Sequence, residues 1–161
     1  MKFLSLLFLT VILVSCGFTM RGNIELPNNV KKISISSISF SPLVVSISDS
    51  LRNSNIQITN SKNKSLYRIN IISENFKRRQ LSINAAGRVN EYEIIYDVSF
   101  QVSPPSEKSD IETITLYRDY SFDENNIMGN VDREEYIKNE MIATAATLIY
   151  NRLSAKVKQN N

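Results

Sequence analysis

Cys16 is the only cysteine in the chain, and it closes the run Leu13-Val14-Ser15-Cys16. A branched apolar residue, a small residue and then cysteine is the pattern of a bacterial lipobox. There the thiol is acylated and the cysteine becomes the first residue of the mature chain. A lone thiol in that position is not expected to be a disulfide half or a catalytic nucleophile. A second set of reactive side chains is cationic: Lys77-Arg78-Arg79 and Arg88 flank the turn signal Ala85-Ala86-Gly87. A guanidinium holds phosphate through two parallel charge-assisted bonds. The set reads either as a small anion contact at a hairpin tip or as an ordinary solvated hairpin end.

Other chemistry is narrowed by what is missing. The chain has no histidine, so a Ser-His-Asp or Cys-His site is excluded and the commonest metal ligand is absent. Its four glycines, at 17, 22, 87 and 129, cannot build a Gly-rich phosphate loop. Carboxylate-pair or Ser-Lys catalysis stays formally open, but no spacing argues for it. An enzyme is not expected, and neither a metal nor a cofactor is implied. There are 19 basic against 16 acidic residues, with no Lys/Arg block longer than three. That balance does not point to nucleic acid.

The elements that must carry these residues begin with an export signal over residues 1–15. Lys2 supplies the positive start, and Phe3 to Val14 is a nearly unbroken apolar stretch of 12 residues. A bilayer-spanning helix needs about 20 apolar residues, so this run is too short to be a stable span. Each buried acyl methylene adds about 0.8 kcal/mol of membrane affinity and stable anchoring takes more than one chain, so a multiply acylated Cys16 stays bound. Residues 16–30 then form a lipid-anchored lead, residues 31–157 a single domain, and 158–161 a polar tail. Removing the signal leaves 146 residues, enough for one core.

Within the domain, Ile33 and Ile35 alternate with polar neighbours as in a strand, and a slip near Ser36-Ser37 brings in Ile38 and Phe40. Ser41-Pro42 reads as an N-cap followed by proline at the first helical position. Leu43, Val44, Ile47 and Leu51 put an apolar stripe on the helix that follows, to about Asn53. Leu66 to Ser82 is extended, with Tyr67, Ile69 and Ile71 on one face, and Gly87 supplies the hairpin tip. From Tyr92 to Val102 the apolar side chains alternate strictly with Glu93, Ile95, Asp97, Ser99 and Gln101, which means one face on a core and one largely toward solvent. Ile111 to Phe122 is a fourth strand. A long helix from about Arg133 to Lys156 carries Ile142, Ala146, Ile149, Leu153 and Val157, flanked by Met141, Ala145 and Leu148. Asp132 is its expected N-cap, with Glu134 and Glu135 in the first turn. The order β-α-β-β-β-α predicts an α+β two-layer sandwich, a four-stranded, mostly antiparallel sheet with both helices on one face.

Several ordered motifs carry a resemblance. They are Cys16-Gly17-Phe18 with Arg21-Gly22, then Arg78 with Leu81-Ser82, then Gly87-Arg88 with Glu91-Tyr92-Glu93 and Val98-x-Phe100. Arg118-x-Tyr120-x-Phe122-Asp123 follows, then Glu140-Met141, Leu148-Ile149 and Arg152-Leu153. From Leu13 to about Leu153 this pattern resembles the LPS-assembly lipoprotein family LptE. The resemblance implies a protein at the periplasmic side of the outer membrane that plugs the lumen of the β-barrel translocon LptD, as a heterodimer with it. It also implies help in LptD assembly, binding of lipopolysaccharide, and the same α+β sandwich. Gly17 rather than aspartate after the lipidated cysteine agrees with outer-membrane placement, as in Gram-negative lipoproteins.

A barrel lumen is polar and wet, so a plug should present polar surface. Arg68, Asn70, Glu93, Asp97 and Arg118 are the candidate barrel contacts, and Ser73, Ser99 and Gln101 belong to the same polar set; the plain alternative is the wet face of a half-buried sheet. For the glycolipid, whose lipid A carries phosphates, the candidates are Lys77, Arg78, Arg79, Arg88 and Lys138. Family members use basic residues near the tip and near the start of the last helix. Those positions hold Ala85 and Asn139 here, with Arg88 and Lys138 as their neighbours. Arg118 sits at a sheet edge or an interface, or pairs with Glu91 or Asp97. Tyr92, Tyr96, Tyr117 and Tyr120 at strand spacing read as packing residues before a ligand platform. Three rival readings remain: a stand-alone periplasmic lipid-binding lipoprotein, which needs a pocket of several hundred Å³ between sheet and helices, a structural lipoprotein of another envelope complex, and a hydrolase, which the missing histidine disfavours.

Overall fold

Alternation along the central strands, broken by a bulge in one of them, builds a sheet with one largely apolar face, and two amphipathic helices bury that face. The computed structural model describes residues 26, 30–61, 63 and 66–160, so Cys16 and nearly all of the expected signal and lead lie outside the described residues. The elements are β1 (Lys32–Ser37), α1 (Pro42–Asn53), β2 (Gln57–Thr59), β3 (Tyr67–Ile83), β4 (Val89–Ser103), β5 (Glu112–Ser121) and α2 (Ile127–Gln159). The sheet order is β2-β1-β3-β4-β5. β1 runs parallel to both β2 and β3, whereas β3-β4 and β4-β5 are antiparallel. The α+β sandwich therefore stands, with two corrections. The sheet has five strands rather than four, and it is mixed. β2 is only three residues long, two of them polar, and is too short to show a period.

The core lies between the sheet and both helices. Ile33 and Ile35 of β1, Ile69 and Ile71 of β3, and Ile94, Tyr96, Val98, Phe100 and Val102 of β4 meet Leu43, Ile47 and Leu51 of α1. Met141, Ala145, Ile149, Leu153 and Val157 of α2 close it. Large-to-small changes at such sites typically cost about 2–5 kcal/mol. Ser41 caps α1 as expected, its Oγ accepting from Val44 N at 3.1 Å, with Pro42 at the first helical position.

Two boundaries differ from expectation. β1 ends at Ser37, and Ile38 and Phe40 stand 79% and 88% exposed, outside the strand. Period-two spacing alone does not bury a side chain when the chain has already turned toward a helix cap. α2 begins at Ile127, not near Arg133, because Asn126 takes the N-cap: its Oδ1 accepts from Gly129 N at 3.0 Å. Ile127, Met128 and Val131 in the extra turns are exposed, so no apolar stripe marks them. Asn130 fastens this end of the helix to the preceding loop, receiving Asp123 N at 3.0 Å and donating to Asp123 O at 2.6 Å.

β1 pairs with β3 only as far as Ser37 opposite Ile71. Beyond it the β3-β4 hairpin continues past β1 to a tip at Asn84–Arg88. There Asn84 Oδ1 accepts from Ala86 N and Arg88 N, and Gly87 adopts a φ of +75°. That left-handed conformation favours glycine.

Candidate functional site

One extra residue in β3 decides which side chains converge. The register passes from Ile71 opposite Phe100 to Ser73 opposite Ser99, leaving Ile72 as a bulge. A bulge of one residue exchanges the two faces of a strand beyond it. Before it, the odd positions Ile69 and Ile71 face the core. After it, the even positions Glu74, Phe76, Arg78 and Gln80 turn to the helix side, opposite Val98, Tyr96, Ile94 and Tyr92. Lys77 and Arg79 go to the uncovered side. The Lys77-Arg78-Arg79 run is thus split across two faces of the sheet.

On the helix side, Arg78 lies with its guanidinium 4.5 Å from the centre of the Tyr92 ring. Its Nη1 is 2.8 Å from Glu134 Oε2. Lys138, one turn along α2, puts its Nζ 2.7 Å from the other oxygen of the same carboxylate and 5.9 Å from the Phe76 ring. Tyr120 completes the set, donating its hydroxyl to Glu134 Oε2 at 2.9 Å. The groove here, with a volume of about 440 Å³, is lined by Arg78, Val131, Glu134, Glu135 and Lys138. The rings that meet the two cations are themselves packed: Phe76 stacks on Tyr96 at 4.0 Å, and Tyr92 meets Phe122 edge-on at 5.2 Å.

Electrostatics follow from these contacts. Burial pushes the Glu134 carboxyl up, but the bonds from Lys138, Tyr120 and Arg78 outweigh it and bring it down to about 2. Arg78 is held above its ordinary value, chiefly by its bond to Glu134. Burial, then the bond to Glu134, raises Tyr120, with Arg78 acting against both. A carboxylate this firmly ionised, between two cations, is no proton donor at neutral pH. The arrangement holds charge and positions it. Among the described residues no group of histidine, cysteine, aspartate and glutamate could hold a metal ion.

A neighbouring half-buried carboxylate ties the hairpin to the N-cap of α1. Glu74 accepts from Ser41 Oγ at 2.5 Å and from Tyr96 OH at 2.6 Å. Burial and then the Glu74 carboxylate drive the Tyr96 phenol well above its ordinary range.

The remaining candidates distribute over the molecule. On the uncovered face, Lys77 Nζ meets Asp97 at 3.0 Å and Arg79 Nε meets Glu93 at 2.6 Å. The bond from Lys77, then that from Thr115, holds the Asp97 carboxyl below its ordinary value. Arg68 donates to Glu107 O at 3.4 Å, and Asn70 accepts from Ser36 Oγ at 3.1 Å. Register puts both on that same uncovered face, opposite Ser103 and Gln101. Arg88 at the tip pairs with Glu124 of the β5-α2 loop. Arg118 stands apart from the other barrel candidates: opposite Ile94, it belongs to the helix side, and it donates to Tyr117 O at 2.9 Å. Neither Glu91 nor Asp97 is its partner; Glu91 takes Ser82 Oγ and Asp97 takes Lys77 and Thr115. Of the four tyrosines, Tyr92, Tyr96 and Tyr120 pack inward as expected, while Tyr117 is exposed on the other face. Of the expected glycolipid set, only Arg78 and Lys138 come together. Glu134, which joins them, is on sequence grounds a first-turn residue, and its spacing of four from Lys138 is the signal that marks the pair.

Comparison with known proteins places this arrangement. Residues 30–153 match the family model "LptE: Lipopolysaccharide-assembly". The chain is similar to the LPS-assembly lipoprotein LptE of Pectobacterium atrosepticum, at 23% identity over 89% of this chain and 79% of that protein. It is similar also to LptE of Yersinia enterocolitica, at 27% identity over 94% of this chain and 75% of that protein. Among solved structures, the rare lipoprotein B from Shewanella oneidensis superposes with a TM-score of 0.72 and 27% identity, covering 81% of this chain and 99% of that one. Lipoprotein B from Nitrosomonas europaea shares the fold, with a TM-score of 0.73 at 24% identity over 88% of this chain and 93% of that one. A family match over all five strands, α1 and most of α2 makes this chain a member of the LptE family of lipopolysaccharide-assembly lipoproteins.

Proposed function

We propose that this non-enzymatic lipopolysaccharide-assembly lipoprotein is an outer-membrane subunit of the lipopolysaccharide translocon. In this reading it is held by acyl chains on Cys16 at the periplasmic side, and it plugs and helps to assemble the LptD β-barrel as a one-to-one partner. The observation that carries the reading is the family match over residues 30–153. Around it fits a division into a signal over 1–15, an anchored lead over 16–30 and one domain over 31–157.

The uncovered sheet face supports the plug. Barrel lumens are polar, and this face presents cross-strand pairs whose charges are already matched, Lys77 with Asp97 and Arg79 with Glu93. Such a surface enters a wet lumen without burying an unpaired charge. Arg68, Asn70, Glu93 and Asp97 are the proposed wall contacts there, and Arg118 would serve a different side of the lumen. Glycolipid phosphate is assigned first to Arg78 and Lys138, which line one groove. Lys77, Arg79 and Arg88 each lie against a carboxylate elsewhere and are secondary candidates.

A stand-alone lipid carrier is less well supported, because the space between sheet and helices is filled by Tyr96, Leu43, Ile149 and Leu153. Detergent extraction separates the two. The mature protein should leave the membrane in a stable one-to-one complex with a large β-barrel. Recovery as a free monomer alone would reject the plug.

A further inference from the structure

We infer that Glu134 is a built-in counter-ion that occupies the Arg78–Lys138 cradle and yields it to a phosphate monoester in preference to a diester. The inference rests on the proposed reading that this protein meets a phosphorylated glycolipid, and it adds how the groove selects its ligand. Both cations aim at one carboxylate, at 2.8 and 2.7 Å on its two oxygens. Each is also steadied by an aromatic ring, Arg78 by Tyr92 and Lys138 by Phe76. Ring contacts of this kind hold a cation in place whether or not its anion is present. The cradle is thus organised for an oxyanion with two or more oxygens, and Glu134 supplies a single negative charge from inside the chain. Val131 and Glu135 line the same groove.

A ligand must displace that carboxylate to reach both cations. A phosphodiester brings one negative charge and merely exchanges with Glu134. A phosphomonoester brings about 1.5–2 charges at pH 7 and three acceptor oxygens, so it gains attraction to both cations on exchange. Glu135, exposed on the same rim, repels either ligand, the monoester the more strongly, and so limits the preference. The displaced Glu134 keeps the Tyr120 hydroxyl as a partner.

The test uses the full mature lipoprotein purified in detergent, at pH 7.5. Calorimetric titration compares glycerol phosphate with dimethyl phosphate in free solution, and micelles doped with phosphatidic acid with micelles doped with phosphatidylglycerol. The wild type should prefer the monoester about tenfold in each pair. A stronger preference in micelles assigns the ligand to a lipid headgroup, and an equal one assigns it to the free phosphate group. Glu134→Gln should bind both esters about tenfold more tightly and keep the preference, because the carboxylate that has to be displaced is the same for both. Arg78→Gln with Lys138→Gln should bind neither. A wild type that does not distinguish the esters overturns the inference without recourse to any variant. So does a Glu134→Gln protein that loses monoester binding and gains none for the diester. Barrel co-purification at wild-type yield with no ester selectivity would remove this inference and leave the translocon reading intact. Failure of the wild type to bring down a barrel would remove the reading itself.

Discussion

Replacing Glu134 by glutamine removes one charge and almost no volume, so it isolates what the carboxylate does for the fold. Its side chain is 17% exposed and joins α2 to β3 through Arg78 and to β5 through Tyr120. A carboxyl held at about 2 rather than at its ordinary 4.5 corresponds to about 3 kcal/mol of preference for the ionised form, at 1.36 kcal/mol per pKa unit. Arg78 is 48% exposed, and solvent screening of a half-exposed partner lowers the expected value to about 1–2 kcal/mol. The sign follows from linkage. A carboxyl whose value is depressed in the folded state stabilises above its unfolded value, and that contribution disappears as pH falls through the folded value. Glu134→Gln should therefore be less stable than wild type by about 1–2 kcal/mol at pH 7. The gap should begin to close below pH 4.5 and vanish near pH 2. Urea denaturation followed by circular dichroism, at pH 7, 4 and 2.5, reads it directly. Other carboxylates titrate in both proteins and cancel in the difference. A gap that stays constant from pH 7 to 2.5, or no gap at pH 7, would refute the electrostatic account of this contact.

Further expectations concern the hairpin and the helix start. Tyr96→Phe deletes a buried hydroxyl bonded to the Glu74 carboxylate and should cost about 1.5–3 kcal/mol in a denaturant titration, as hydrogen bonds to charged groups do; a loss below 0.5 kcal/mol would count against that bond. Gly129→Ala would place a Cβ 2.5 Å from the Asn126 side chain and displace the cap, lowering stability by about 1 kcal/mol and speeding amide exchange in the first turn of α2; unchanged exchange would deny the cap its role. Lys77→Ala breaks only an exposed pair on the uncovered face and should change stability by less than about 1 kcal/mol, and a larger loss in the same titration would show that this ladder holds the sheet together.

How much of this was legible beforehand depends on where a periodic signal survives. β4 declares itself because six apolar residues alternate through one uninterrupted strand, and Ser41-Pro42 because both residues act locally. α2 announces its buried half through Ile142, Ala146, Ile149 and Leu153, but its first turns face solvent and leave only Asn126 and Gly129 as signals. β2 is too short to have a period. Ile38 and Phe40 keep the spacing of a strand after the strand has ended, since pattern reports neighbours and not the path of the chain. The groove was hidden for a different reason. Lys138 and Glu134 are one turn apart and could be paired on sight, whereas Arg78 joins them only because Ile72 is bulged. A bulge has no sequence mark in an extended stretch such as Ile69–Arg78, and a one-residue slip sends adjacent cations to opposite faces.

The central claim is that the uncovered face of the sheet lies against the inner wall of a β-barrel. It is tested most directly by photo-crosslinking in intact cells. Thr113 and Tyr117 are exposed on that face, and a photoreactive residue at either position should capture one large outer-membrane β-barrel on irradiation. Adducts only with lipid, with a second copy of this chain, or with soluble periplasmic proteins would contradict the account.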